Sequence, residues 1–119
     1  MTWTVILDEA FAAEFVAFPR DVQTALLAKA RLLEHYGPQL GRPHVDTLKD
    51  SKHANMKELR FDAADGAWRA AFAFDTLRQA VILVAGDKSG GSQKRFYRAL
   101  IATADKRFDE HLAQQKKGV

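Results

Sequence analysis

The sequence predicts an α+β fold: a small antiparallel β-sheet with N-terminal helices packed on it and a C-terminal helix. Two stripes of apolar residues at helical spacing, one early and one late in the chain, supply the helices. Between them, residues 56–85 hold three short runs of strand-like pattern separated by turn residues. At 119 residues, 47% of them hydrophobic, the chain is one domain over 1–119 with enough apolar material for one core.

Thr2-Trp3-Thr4-Val5-Ile6-Leu7 is short, β-branched and aromatic, and reads as a first strand. Asp8 can cap a short helix from Glu9 to Phe18, with Phe11, Phe15 and Phe18 about one turn apart. Pro19 suits a first helical position. The helix behind it runs to about Tyr36 on a stripe of Val22, Ala25, Leu26, Leu32, Leu33 and Tyr36, interrupted by Lys29. Gly37-Pro38 stops it. Residues 37–55 lack periodicity and read as a loop, with a short edge strand at Val45 to Leu48.

Met56 to Phe61 is the next strand, followed by a turn at Asp62 to Gly66, where Asp-Gly offers hairpin angles. From Trp68 to Phe74 the pattern alternates. Trp68, Ala70, Phe72 and Phe74 share one face, and Arg69, Ala71 and Ala73 share the other. Small residues around an arginine suggest an open or shallow concave face. Asp75 to Arg78 turns again, and Ala80 to Ala85, apolar on both faces, belongs inside the sheet. These three strands form an antiparallel meander. Ser92 can cap a last helix that buries Phe96, Tyr97, Leu100, Ile101, Ala104, Phe108 and Leu112, with fraying from Gln114 onward.

Several function classes are excluded. With no cysteine there is no disulfide, no thiolate nucleophile and no Cys-ligated metal. The start of the chain meets Asp8 and Glu9 without a basic segment, so it does not read as a secretory signal. No apolar run is long enough to span a bilayer, and a soluble intracellular domain is expected. Gly86 to Gly91 lacks the spacing of a phosphate loop, and no serine sits in a nucleophile elbow. His35, His44, His53 and His111 show no ligand spacing, so no metal or cofactor is expected.

The remaining signal is cationic. The net charge is +3, but residues 86–119 carry eight Lys/Arg against four Asp/Glu. With Leu59 and Phe61 facing inward, Glu58 and Arg60 face the other side of the sheet, where Arg69 joins them from the next strand. Lys88 follows the last strand, and Lys94, Arg95 and Arg98 occupy the first turns of the last helix. One reading is a site for phosphate. The other is ion pairing, with Glu58 bound to Arg60 or Arg69 and the lysines as solvated charge.

Taken in order, Lys57-Glu58-Leu59-Arg60-Phe61, Trp68-Arg69-Ala70-Ala71-Phe72, Val81 to Ser89 and a basic helix resemble the RelE/ParE toxin superfamily, in its HigB-like, phage-derived Gp49-like branch. The resemblance covers most of the chain. It implies the toxin of a type II toxin–antitoxin system, a cytoplasmic metal-independent endoribonuclease that cuts messenger RNA in the ribosome. Its implied partners are a cognate antitoxin, often a helix-turn-helix protein, the ribosome and mRNA, with no membrane. It places the cationic site positions at Arg60, Arg69 and Lys88, with Lys57, Lys94 and Tyr97 as further transfers, and fixes no role for the segment that holds His53. On their own chemistry His53 is a further catalytic candidate, and Arg95 and Arg98 join Lys94 and Tyr97 as RNA contacts on the last helix. Arg60 and Arg69 suit a pentacoordinate phosphate, because a guanidinium can hold two of its oxygens. His53 has the pKa range of a general base; Lys88 or Lys57 would need a lowered one. Two alternatives stay open: a ParE-like gyrase inhibitor without a hydrolytic site, and an inactive binding module.

Overall fold

A computed structural model describes residues 2–118. Strand β1 (Thr4–Leu7) leads into helix α1 (Glu9–Phe15), whose first turn is capped by Asp8 accepting from the Phe11 amide. Helix α2 (Arg20–Tyr36) follows Pro19, which stands at the N-cap, one position before the expected one. A 3-10 turn (Gly37–Gln39) precedes β2 (Val45–Thr47). Then come β3 (Lys57–Ala63), β4 (Gly66–Phe74), β5 (Gln79–Asp87) and helix α3 (Gln93–Lys117), capped by Ser92 accepting from the Arg95 amide.

The sheet order is β1-β5-β4-β3-β2. The β3-β4-β5 meander is antiparallel as expected, and β2 adds antiparallel to β3. The first strand does something the sequence did not indicate. It pairs parallel to β5, Thr4 with Gln79 through Leu7 with Ile82, so the sheet is mixed. Nothing in a four-residue apolar run specifies its partner or direction.

Two cores sandwich the sheet. On one face Leu59, Phe61, Ala70, Phe72, Ala80 and Ile82 meet Phe11 of α1 and Val22, Leu26, Ala30 and Leu33 of α2. On the other, Met56, Ala71, Ala73, Val81 and Leu83 meet Leu100, Ile101, Ala104 and Phe108 of α3. The expectation of an open face around Ala71 and Ala73 is therefore wrong, since both are fully buried. Small side chains there let α3 lie close against the strands, and the helix supplies the bulk that the sheet lacks.

Smaller corrections have clear causes. Tyr36 closes the expected α2 stripe but is half exposed, and Ala30 takes the buried place instead. The β3–β4 turn is centred on Ala64 and Asp65, both with positive φ, and Gly66 already belongs to β4. A β-carbon on Gly66 would overlap the Asp87 carboxylate on β5, so glycine is needed there for room. Between Ala71 and Phe72 the β4–β5 register slips, leaving Leu83 as an extra residue and turning both Leu83 and Val84 toward α3.

Beyond Leu7, β1 no longer covers the edge of β5. Arg107 of α3 reaches into that gap. Its Nη1 donates to the Leu83 carbonyl at 2.8 Å, and its guanidinium grips Glu14 of α1 through two bonds of 2.9 and 2.6 Å. At the opposite end of β5, Asp75 is wholly enclosed and accepts from the Leu77 and Gln79 amides and from the side chains of Gln79, His111 and Gln115. These two knots fasten α3 to the sheet at points where apolar packing alone would let it slide.

Candidate nucleic-acid interface

The first turns of α3 stand beside the segment that joins β2 to β3. Between them opens a cleft of about 670 Å³, lined by Lys49, Asp50, Glu58, Lys94, Tyr97 and Arg98 among others. Helical spacing explains the membership. Lys94, Tyr97, Arg98 and Ile101 fall on one flank of α3, and Arg95 and Phe96 on the other, over β5.

On the floor of the cleft, the Tyr97 hydroxyl donates to Glu58 Oε1 at 2.8 Å. The same oxygen lies 3.7 Å from Nε of Arg69, and the two charged residues are each only 6% exposed. Arg69 also donates from Nη1 to the Trp68 carbonyl, while its Nε has no hydrogen-bond partner. Burial and the Glu58 carboxylate push the Tyr97 phenol above its usual range, and the Arg69 guanidinium counteracts them. Among the described residues no donor reaches Glu58 Oε2, which leaves one acceptor at the cleft wall.

Arg60 and Arg69 are directly opposed across β3 and β4 and project from the same face, as alternation requires. They line a second hollow of about 380 Å³ with Lys29, Pro43 and Asp62. The Glu58–Arg69 pair forms the partition between hollow and cleft. Arg60 is half-buried and close enough to Asp46 on β2 to help hold that carboxyl below its normal range, after the Thr47 amide and Arg42. Lys88 follows β5 on the side of Gly86, which faces Arg69 across the strands. Its amide donates to the Ala67 carbonyl.

Three expected site residues lie elsewhere. Lys57 alternates onto the Leu59–Phe61 face, toward α2 and away from Glu58 and Arg60. His53 is bound through Nε2 to Asp109 at 2.8 Å and packs edge-on against Phe108. Asp109 is twelve positions beyond Tyr97 on α3, about 18 Å at 1.5 Å per residue. Arg95 sits on the β5 flank, across the helix from Lys94 and Arg98. Arg60 and Arg69 share a face as alternation requires, but Arg69 is enclosed against Glu58, Lys88 is not among the residues lining the hollow or the cleft, and Lys94, Tyr97 and Arg98 gather in the cleft on the other side of the partition. Sequence reasoning missed Lys49 as a cleft residue and treated Glu58 only as a partner for arginine. Its alternation onto the Arg60 side was the available signal for Glu58; Lys49 had none.

A family model described as phage derived protein Gp49-like matches residues 13–109. The chain belongs to this family, as a HigB-like toxin. It is 45% identical over 104 residues to the protein named toxin HigB3 in Mycobacterium tuberculosis, covering 87% of this chain and 89% of that one. It is 42% identical over 113 residues to the one named toxin HigB2 in the same organism, covering 94% of this chain but only 55% of the longer relative. A mutant of E. coli toxin RelE in the free state shares the fold with a TM-score of 0.61 at 11% identity, over 86% of this chain and 96% of that one. The archaeal RelE–RelB complex from Pyrococcus horikoshii gives 0.55 at 17% identity, over 76% and 100%. In this HigB-like chain no helix among the described residues is long and apolar enough to cross a membrane.

Proposed function

We propose that this HigB-like toxin is an endoribonuclease that cuts messenger RNA at the ribosome in the cytoplasm and is neutralised by a co-expressed antitoxin of the helix-turn-helix class. The observation that carries the reading is the cleft itself: Lys49, Lys94 and Arg98 around Tyr97, with Arg60 beyond the Glu58–Arg69 partition. Three cations beside an aromatic ring match the needs of single-stranded RNA, phosphate charge outside and a base face to stack within.

Each side chain then has a role. Lys49, Lys94 and Arg98 hold backbone phosphates. Tyr97, its hydroxyl fixed by Glu58, offers its ring to a base. Glu58 Oε2 is placed to take the 2′-hydroxyl proton as that oxygen attacks phosphorus. Arg60 stabilises the extra phosphate charge, and Lys88 serves the departing 5′-oxygen. Arg69 holds Glu58 in place. His53 and Lys57, displaced from this arrangement, have no role in it, and the chemistry asks for no metal or cofactor.

The test is to induce the protein in bacteria, map RNA 5′ ends and assay DNA breaks. New mRNA ends within translated frames, growth arrest, and relief by the neighbouring gene product are expected. Intact mRNA with gyrase-dependent DNA breaks would replace this reading with a ParE-like one.

A further inference from the structure

Lys49 stands at the lip of the cleft, on a segment with no regular structure. On its N-terminal side Leu48 is buried in the α3 core and donates its amide to the Met56 carbonyl at 2.9 Å. On its C-terminal side three consecutive residues are tied to two carboxylates of α3. Ser51 Oγ donates to Asp105 Oδ1 at 2.5 Å, and the Lys52 amide to Asp105 Oδ2 at 3.2 Å. Asp109 takes the Lys52 ammonium on one oxygen and His53 Nε2 on the other, at 2.8 Å. Only Lys49 and Asp50 span the gap between these two anchors.

We propose that Asp105 and Asp109 are positioning residues that strap the 51–53 segment to α3 and thereby hold Lys49 over the cleft. The inference rests on the RNA reading of that cleft. Two carboxylates four residues apart on one helix face repel each other. Their placement makes sense as a receptor for Ser51, Lys52 and His53. Without the strap, the turn that carries Lys49 keeps only Leu48 and the 3.3 Å bond from the Ser51 amide to the Leu48 carbonyl, and its ammonium is held less closely at the cleft it shares with Lys94 and Arg98.

The electrostatic expectation runs the other way, which makes the test sharp. Asp105→Ala with Asp109→Ala removes two negative charges from a chain that binds an anion, and unspecific attraction alone would tighten binding. The strap requires weaker binding. Affinity is measured by fluorescence anisotropy with a short labelled single-stranded RNA across a series of salt concentrations. The double variant should lose affinity, and its slope of log affinity against log salt should fall by about 1, as for one lost phosphate contact. Lys49→Ala should give the same loss, and adding it to the double variant should give none further, because both act through one ammonium. Ser51→Ala, a smaller change, should go part of the way. Tighter or unchanged binding by the folded double variant, or losses that add, would overturn the inference. Amide exchange at Lys52 and His53 reads the strap without RNA: it should quicken in the double variant, and unchanged exchange would also overturn the proposal. If the wild-type protein shows the strap by exchange but binds no RNA, the reading of the cleft fails instead.

Discussion

Arg60 and Arg69 face each other across β3 and β4, yet they live in different environments. Arg69 is enclosed against Glu58, while Arg60 keeps access to solvent at the hollow beside Pro43. Their substitutions should therefore separate. Arg69→Ala strands the buried Glu58 carboxylate and should cost about 3–5 kcal/mol of stability. Arg60→Ala should cost no more than about 0.5 kcal/mol while abolishing toxicity. Urea unfolding of both variants beside a growth-arrest assay checks the pair. Equal stability in the two would show that Glu58 does not need Arg69.

Tyr97→Phe removes the donor to Glu58 Oε1 and should lower stability by about 1–2 kcal/mol. The folded Tyr97 has a raised pKa, so its contribution is complete below the unfolded tyrosine value and disappears as pH rises through the folded one. Ultraviolet titration in a Tyr36→Phe background, where Tyr97 is the only tyrosine left, should give a midpoint above about 10. A midpoint at or below that value would mean that the phenol is not held as described.

Acid should act on the Asp75 knot. Burial raises the pKa of this carboxyl, but His111, Gln79 and the Leu77 amide together outweigh it and leave it depressed. Its contribution is thus present above the unfolded aspartate value of about 3.9 and is lost as pH falls through the lower folded value. Asp75→Asn should flatten that acid limb of the stability curve and destabilise at neutral pH. The measurement is melting temperature from pH 7 down to acid, and parallel curves for the two proteins would contradict it.

Arg107→Ala should cost about 1–2 kcal/mol, because it releases the Leu83 carbonyl at the open edge of β5. Glu14→Ala should cost under about 1 kcal/mol, since that carboxylate is largely exposed and solvent screens the pair. Similar losses for the two would mean that the Glu14 pair, rather than the carbonyl, carries the effect.

Much of the architecture was legible because it rests on local signals. The Ser92 and Asp8 caps, the Gly37 stop and the period of the α3 stripe each depend on residues a few positions apart. The same holds for Arg60 and Arg69, whose shared face follows from alternation. What was not legible depends on pairing between distant segments. The direction of β1, the cover that α3 gives Ala71 and Ala73, and the capture of His53 by Asp109 are decided by tertiary packing. Lys57 shows the limit at close range: it adjoins Glu58 in sequence, and the pleat sends it to the opposite side of the sheet.

The parallel pairing of β1 also bears on when the protein can form. Thr4 is synthesised before its partner Gln79, which comes 75 positions later. Helices α1 and α2 can form early, while the strand ahead of them has nothing to pair with until β5 has been made. Contacts this far apart in sequence slow folding, because a large loop must close before they give any return. The cleft needs α3, which comes later still. The emerging chain is thus without its cleft until α3 has been made, so the β-sheet and the first two helices can be present before there is a cleft for any ligand to enter.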